Sequence, residues 1–112
     1  MRIVSFAWTT KELIEGKKTV TRRHWTKQLV KEEDLVQAYD RSPRFKGKCV
    51  ALIKILKVSQ VPLCEIDEEE MKKEGFEGQD PAEFIGNWIA EYGGEINQLV
   101  WRVEFKVLEL VN

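Results

Sequence analysis

The chain of 112 residues has 43% hydrophobic and 33% charged residues, which indicates one folded domain, residues 1–112, and excludes a disordered chain. No apolar run approaches the about 20 residues that cross a membrane, and no signal-peptide segment begins the chain, so a cytoplasmic location is expected. The net charge of −1 conceals an asymmetry, because residues 17–48 carry +6 and residues 65–95 carry −9. This segregation suggests a face suited to a polyanion, unless the two segments fold together and neutralise each other.

The N-terminal segment predicts a strand followed by a short helix. Residues 2–6 alternate as a strand, and residues 9–15 form an amphipathic helix. Thr9 and Glu12 have the spacing of a capping box, in which each side chain satisfies a backbone N–H at the helix start. Gly16 suits the left-handed position that ends such a helix.

The second predicted strand, residues 19–24, is the most informative segment of the sequence. A half-buried strand normally alternates apolar and polar residues. This one has a single aliphatic residue, Val20, among threonine, arginine and histidine, and two lysines directly precede it. A strand with so few apolar side chains to bury usually has another role, such as binding a ligand.

The middle of the chain predicts a helix, a basic loop and a long strand. Thr26 can cap a helix over residues 26–40, which has a loose apolar stripe. Residues 41–47 form a basic loop that contains a proline and a glycine. Residues 48–61 are apolar on both faces through their middle, as is typical of a buried strand.

The C-terminal half predicts two helices and a final strand. Asp67 and Asp80 each occupy a helix-capping position, and the two helices extend to about residues 73 and 92. Residues 99–110 alternate clearly. Long strands separated by helical segments predict an α+β fold, a small mixed β-barrel with helices packed at the barrel ends.

A polar patch is expected on the second strand. Thr19, Thr21 and Arg23 point to one face of a strand, and Lys18 can swing toward that face from the preceding turn. Lysine and arginine bind phosphate or carboxylate groups, and threonine is a nucleophile when a base activates it. The alternative is a solvated edge strand whose charges prevent aggregation.

Glu74 is the second candidate, because it follows a helix and precedes residues 75–76, which predict a tight turn that directs its carboxylate inward. The alternative is an ordinary surface acid. One histidine, His24, and two isolated cysteines, Cys49 and Cys64, are too few ligands of the right kind for zinc. No metal and no cofactor are therefore expected.

Four tryptophans divide into two expected pairs. Trp88 and Trp101 lie on apolar faces and are expected in the core. Trp8 and Trp25 flank the first helix and the polar strand, where each is either a core residue or a stacking platform for a base, a contact of about 1–3 kcal/mol. His24 is expected at the surface or against a phosphate.

The pattern Gly16-x-Lys18-x-x-Thr21-x-Arg23, after a strand and a helix, resembles the signature of ASCH domains, which are small β-barrel proteins related to the PUA fold. The strand after Gly47, the helix that ends at residues 74–76, the aromatic-bearing helix and the final strand extend the resemblance over nearly the whole chain. The resemblance implies a cleft that is suited to RNA or a nucleoside and is lined by Lys18, Thr21, Arg23 and Glu74.

Two functions follow from the resemblance, and the sequence leaves open whether the protein is an enzyme. The first is a module that binds RNA or a modified nucleotide, with Lys17, Arg23, Trp8, Trp25 and His24 as ligand-binding residues. The second is a small amidohydrolase that deacylates N4-acetylcytidine-type nucleosides, or a ribonuclease. The resemblance implies Lys18 as its base, Thr21 as its nucleophile and Glu74 as the residue that shuttles the proton or holds the attacking geometry.

Overall fold

A computed structural model describes residues 1–111. Its strands are β1 (Arg2–Ser5), β2 (Val20–Arg23), β3 (Leu35–Tyr39), β4 (Cys49–Pro62) and β5 (Leu99–Leu110). Its helices are α1 (Thr10–Ile14), α2 (Glu68–Glu74) and α3 (Pro81–Tyr92), with 3₁₀ turns at Ala7–Thr9, Pro43–Phe45 and Leu63–Glu65. The α+β class predicted from the sequence is confirmed.

The five strands form one mixed sheet in the order β1-β3-β4-β5-β2. β1 runs parallel to β3, and the other neighbours are antiparallel. Register shifts interrupt the pairing of β4 with β5 at residues 52–53 and 55–57, and such irregularities bend strands. The sheet curls into a half-barrel, which leaves β1 and β2 as its two free edges.

The main core fills the concave side of the sheet. Its largest fully buried side chains are Leu13 of α1, the β4 pair Ile53 and Ile55, and Phe105 of β5. A second cluster joins α3 to the far ends of β4 and β5 through Trp88, which is buried as expected. No helix within residues 1–111 has the length and apolar character needed to cross a membrane.

The predicted helix over residues 26–40 is wrong, because this segment contains a turn followed by β3. Asp34 N donates to Lys31 O, Lys31 N donates to the Asp34 carboxylate, and Glu33 takes a left-handed φ of 75°. In β3, burial alternates with a period of two, and Val36 and Ala38 enter the core. The strand lies between β1 and β4, so pairing on both sides outweighs a weak helical pattern.

The structure confirms the predicted helix caps at Asp67 and Asp80 but not the one at Thr9. Asp67 accepts a hydrogen bond from Glu70 N, and Asp80 accepts one from Ala82 N, as expected of N-caps. The Thr9 cap is wrong: its hydroxyl donates to Phe6 O (3.0 Å) and caps no backbone N–H. A 3₁₀ turn at Ala7–Thr9 runs directly into α1, so the chain is already helical before Thr10 and Thr9 does not begin a separate helix.

Gly47 and Gly86 offer a matched pair of substitutions. A Cβ on Gly47 would overlap the Arg41 carbonyl oxygen, whereas a Cβ on Gly86, inside α3, meets open space. We expect Gly47→Ala to lower the free energy of unfolding by about 1–3 kcal/mol through forced backbone movement. Gly86→Ala should raise it by about 0.5–1 kcal/mol through helix propensity. Urea unfolding measures both, and an unchanged Gly47→Ala protein would contradict this account of the loop.

Candidate functional site

Lys18 and Glu74 meet in the interior, between the start of β2 and the end of α2. Lys18 Nζ donates to the backbone carbonyls of Val20 (2.8 Å) and Glu74 (2.7 Å) and lies 3.3 Å from Glu74 Oε1. Each of the two ion-pair partners is only 3% exposed. Three acceptors surround the amine, so each hydrogen of a protonated Lys18 has a partner.

Gly75 makes this meeting possible. It ends α2 in the left-handed conformation, with a φ of 93° that glycine adopts readily. A Cβ at this position would lie 3.1 Å from the Glu12 Cβ and 3.4 Å from the Lys18 Cβ. The helix can therefore end directly against Lys18, whose charge is favourable beside C-terminal carbonyl groups. The expected tight turn that directs Glu74 inward is confirmed.

Arg22 extends the ion pair into a chain of alternating charges. Its Nη1 donates to Glu74 Oε2 (2.9 Å), and its Nη2 donates to Glu70 Oε1 (2.7 Å). Glu70 in turn accepts from Arg102 Nε (2.6 Å) and Nη2 (3.1 Å), and Arg102 Nη1 donates to Glu104 (2.7 Å). We call this set the charge chain; its members, in order, are Lys18, Glu74, Arg22, Glu70, Arg102 and Glu104.

The sequence prediction missed the central members of the charge chain. Arg22 lies on the opposite face of β2 from Thr21 and Arg23, the residues of the polar patch predicted from the sequence. Two signals were present. Glu70 and Glu74 stand four residues apart and so share one helix face. The second signal is the charge asymmetry of the sequence. The basic segment, residues 17–48, meets the acidic segment, residues 65–95, as expected if the two neutralise each other, but only through the ion pairs of Lys18 and Arg22 with Glu74 and Glu70.

Two members of the charge chain have lowered pKa values, which weakens the charge of Lys18 and strengthens that of Glu70. Burial lowers the pKa of Lys18 from 10.5 to about 8; the Glu74 carboxylate opposes this shift, and the cations Arg23 and Arg22 add to it. Hydrogen bonds from Arg102 hold the pKa of Glu70 at about 2, with Arg22 contributing. Lys18 is therefore a buried amine that can release its proton near neutral pH, whereas Glu70 stays ionised.

Arg23 stands apart from the charge chain. Its Nε donates to Thr21 Oγ1 (3.2 Å), and its Nη2 donates to the carbonyl of Ser5 on β1 (2.7 Å). Burial lowers the pKa of this guanidinium, while Glu74 opposes the shift through space. Arg23 forms no ion pair with any carboxylate of residues 1–111, and its Nη1 makes no hydrogen bond to those residues.

Lys18 and Arg23 both lie near the aromatic ring of Phe6. The Arg23 guanidinium carbon lies 5.0 Å from the centre of the Phe6 ring, and Lys18 Nζ lies 6.0 Å from it. Both are cation–π distances. The structure therefore brings Lys18, Glu74 and Arg23 together around one aromatic ring, with Thr21 joined to the group through Arg23.

The other predicted ligand-binding residues have different surroundings. Trp8 is 92% exposed on the 3₁₀ turn after Phe6, and Lys17 is exposed and pairs with Glu15 at 3.6 Å. His24 stacks on Tyr92, with ring centres 4.7 Å apart. The half-buried Trp25 packs against the main core, where its carbonyl accepts from Trp101 Nε1.

Two surface cavities accompany the site, and neither is lined by Lys18, Thr21 or Arg23. One of about 380 Å³ lies over the charge chain, with three cations and three acids in its lining. One of about 730 Å³ lies between α2 and α3 and is predominantly acidic, which is unfavourable for a polyanion.

Of the site residues, Arg23 alone keeps partial exposure, while Lys18, Thr21 and Glu74 are buried. Within residues 1–111, no three histidine, cysteine or acidic side chains cluster as metal ligands.

A family model for the ASCH domain matches residues 7–109. The chain belongs to the ASCH domain family. A comparison with curated protein sequences gives no match.

Solved structures similar to this ASCH domain come from three bacteria. A protein from Enterococcus faecalis V583 has a TM-score of 0.70 at 21% identity, over 95% of this chain and 73% of that one. An ASCH domain from Lactobacillus crispatus JV V101 has a TM-score of 0.70 at 15% identity, over 95% and 79%. An ASCH protein from Zymomonas mobilis has a TM-score of 0.64 at 14% identity, over 98% and 71%. These likenesses confirm the PUA-like fold.

Glu74 can be tested against a neighbour on the same helix. Glu74→Gln leaves the buried cations Lys18 and Arg22 without their shared carboxylate, so this ASCH domain should lose about 3–5 kcal/mol of unfolding free energy. Glu69→Gln, on the exposed face of α2, should change it by less than about 0.5 kcal/mol. Denaturant unfolding at pH 7 measures both. Equal effects of the two substitutions would contradict the charge chain as a buried, interdependent unit.

Proposed function

We propose that this ASCH domain binds RNA or a modified nucleotide, with Arg23 as the anchor for an anionic group. The observation that carries the proposal is the contrast between Arg23 and its neighbours. Lys18 and Arg22 are compensated by Glu74, whereas Arg23 has only neutral partners and one free nitrogen. A partly buried guanidinium without a direct ion pair is costly, and a phosphate offers it the bidentate contact that arginine favours.

Trp8 supports a nucleic-acid ligand over a simple anion. An indole that is 92% exposed forgoes the burial of a large apolar surface. The preceding residue, Ala7, takes a φ of 42°, a left-handed conformation that costs about 1–3 kcal/mol outside glycine. Strain beside an exposed aromatic residue favours a role in presenting the ring, and a base that stacks there would gain about 1–3 kcal/mol. Lys17, His24 and Trp25 stay predictions as further contacts.

Arg23→Gln tests the anchor, with Arg2→Gln as the matched control because Arg2 is exposed at the opposite end of β1. We expect Arg23→Gln to weaken the binding of cytidine monophosphate and of short RNA by about tenfold to a hundredfold, the effect of losing a charged hydrogen bond. Arg2→Gln should retain wild-type affinity. Titration at low salt measures both, with thermal unfolding as a check on folding. Wild-type protein that binds neither ligand at low salt would overturn the proposal.

A second candidate function, an amidohydrolase acting on N4-acetylcytidine, is favoured by the lowered pKa of Lys18. In this reaction Lys18 accepts the Thr21 hydroxyl proton as Thr21 Oγ1 attacks the acyl carbon. The resulting intermediate collapses with the proton delivered to the leaving N4 amine, and water then releases acetate from Thr21. Glu74, which contacts Lys18, would assist the proton transfers.

The pH profile tests this second function. Lys18 acts as a base only when it is unprotonated, so kcat/KM for cytidine release should rise with pH and level off above about 8. Lys18→Ala and Thr21→Ala should abolish release, and Glu69→Gln should not. Chromatographic detection of cytidine at high protein concentration measures the activity. Absence of cytidine, or activity that survives both alanine substitutions, would exclude this mechanism.

A further inference from the structure

The loop that joins β3 to β4 is strongly basic and carries an exposed aromatic ring. We call residues 40–48 the basic loop. Its cations are Arg41, Arg44, Lys46 and Lys48, all exposed, and Phe45 among them is 66% exposed. None of these four cations forms an ion pair with a described residue of the chain. The sequence predicted a basic loop here, and the charge chain leaves its charge uncompensated.

Internal hydrogen bonds fix the shape of the basic loop. The Ser42 carbonyl accepts from Phe45 N (2.9 Å) and Gly47 N (3.1 Å). Across the base of the loop, Lys48 N donates to Asp40 Oδ1 (2.8 Å) and Asp40 N donates to Lys48 O (3.1 Å). The aromatic ring and the cations are thus presented by an ordered backbone, which reduces the entropy lost when a ligand binds.

The topology places the basic loop at the same end of the sheet as Arg23. β1 and β3 run parallel, and Phe6 N donates to Tyr39 O (2.9 Å) at their carboxyl ends. The basic loop begins at the residue after Tyr39, and the turn that carries Trp8 begins directly after Phe6. Arg23 reaches the same end through its bond to Ser5 O.

We infer that the basic loop is a second contact surface for single-stranded RNA, one that extends the anchor at Arg23. The inference rests on the proposed function and names its substrate as a strand of several nucleotides. A strand that runs from Arg23 past Trp8 to the basic loop meets alternating aromatic and cationic groups, the combination that binds bases and phosphates of single strands. An acidic protein would be attracted by the cations, but the exposed rings of Trp8 and Phe45 offer the stacking surfaces that unpaired bases use.

A length series separates this inference from the proposed function. Wild-type protein should bind a labelled octaribonucleotide at least about tenfold more tightly than cytidine monophosphate. Arg44→Gln/Lys46→Gln should remove most of that gain while leaving the affinity for the mononucleotide unchanged. The salt slope of log K for the octamer should fall by about 0.7 for each lost phosphate contact. Phe45→Ala should weaken octamer binding by about 5-fold to 150-fold.

The matched control is Lys72→Gln/Lys106→Gln, which removes the same charge from exposed positions on α2 and β5 and should leave the octamer affinity and the salt slope within about twofold of wild type. Equal losses in both double variants would overturn the inference in favour of a nonspecific charge effect. Normal mononucleotide binding with no gain from length would overturn it while the proposed function stands. Failure to bind either ligand would overturn both.

Discussion

The buried contact between Lys18 and Glu74 is the constraint on which the site depends. It joins the approach to β2 to the last residue of α2, and Arg22 ties the same carboxylate to the strand itself. Burying these charges is tolerable only because each has an opposite partner and further hydrogen bonds. The requirement explains why β2 has only one aliphatic residue, Val20: ionic contacts with α2 help to hold its position, where other strands are held mainly by apolar packing.

The charges of the charge chain are balanced within the protein, whereas the charge of Arg23 has no direct ion pair. The charge chain contains equal numbers of cations and carboxylates and ends at the half-exposed Glu104. Arg23, on the other face of the same strand, is left with hydroxyl, carbonyl and aromatic partners. A single four-residue strand thus uses adjacent arginines differently, one to hold α2 and the other to face the gap between the sheet edges.

The sequence predicted the parts of this protein that local rules determine. The caps at Asp67 and Asp80 and the turn at Gly75 depend on neighbouring residues and agree with the structure. The alternation predicted for β5 holds from Val103 to Val107 but is out of phase at the start of the strand, where Val100 is buried and Leu99 is exposed. β3 was missed because its identity depends on pairing with β1 and β4, which no local pattern records. Arg22 was missed for a related reason, since its partners lie about 50 residues away on α2 and the motif residues Thr21 and Arg23 lie on the opposite face of β2.

The bond from Arg23 to Ser5 has a mechanical consequence. β1 and β2 are the first and last strands of the sheet order, and among the described residues this side chain, not a backbone ladder, spans them. The hydrogen-bonded link between the two edge strands is therefore one side-chain contact, while the residues on either side of Ser5, Val4 and Phe6, are held by the main core. An incoming anion would compete with the Ser5 carbonyl for the same guanidinium, so ligand binding and the closure of the half-barrel would draw on one side chain.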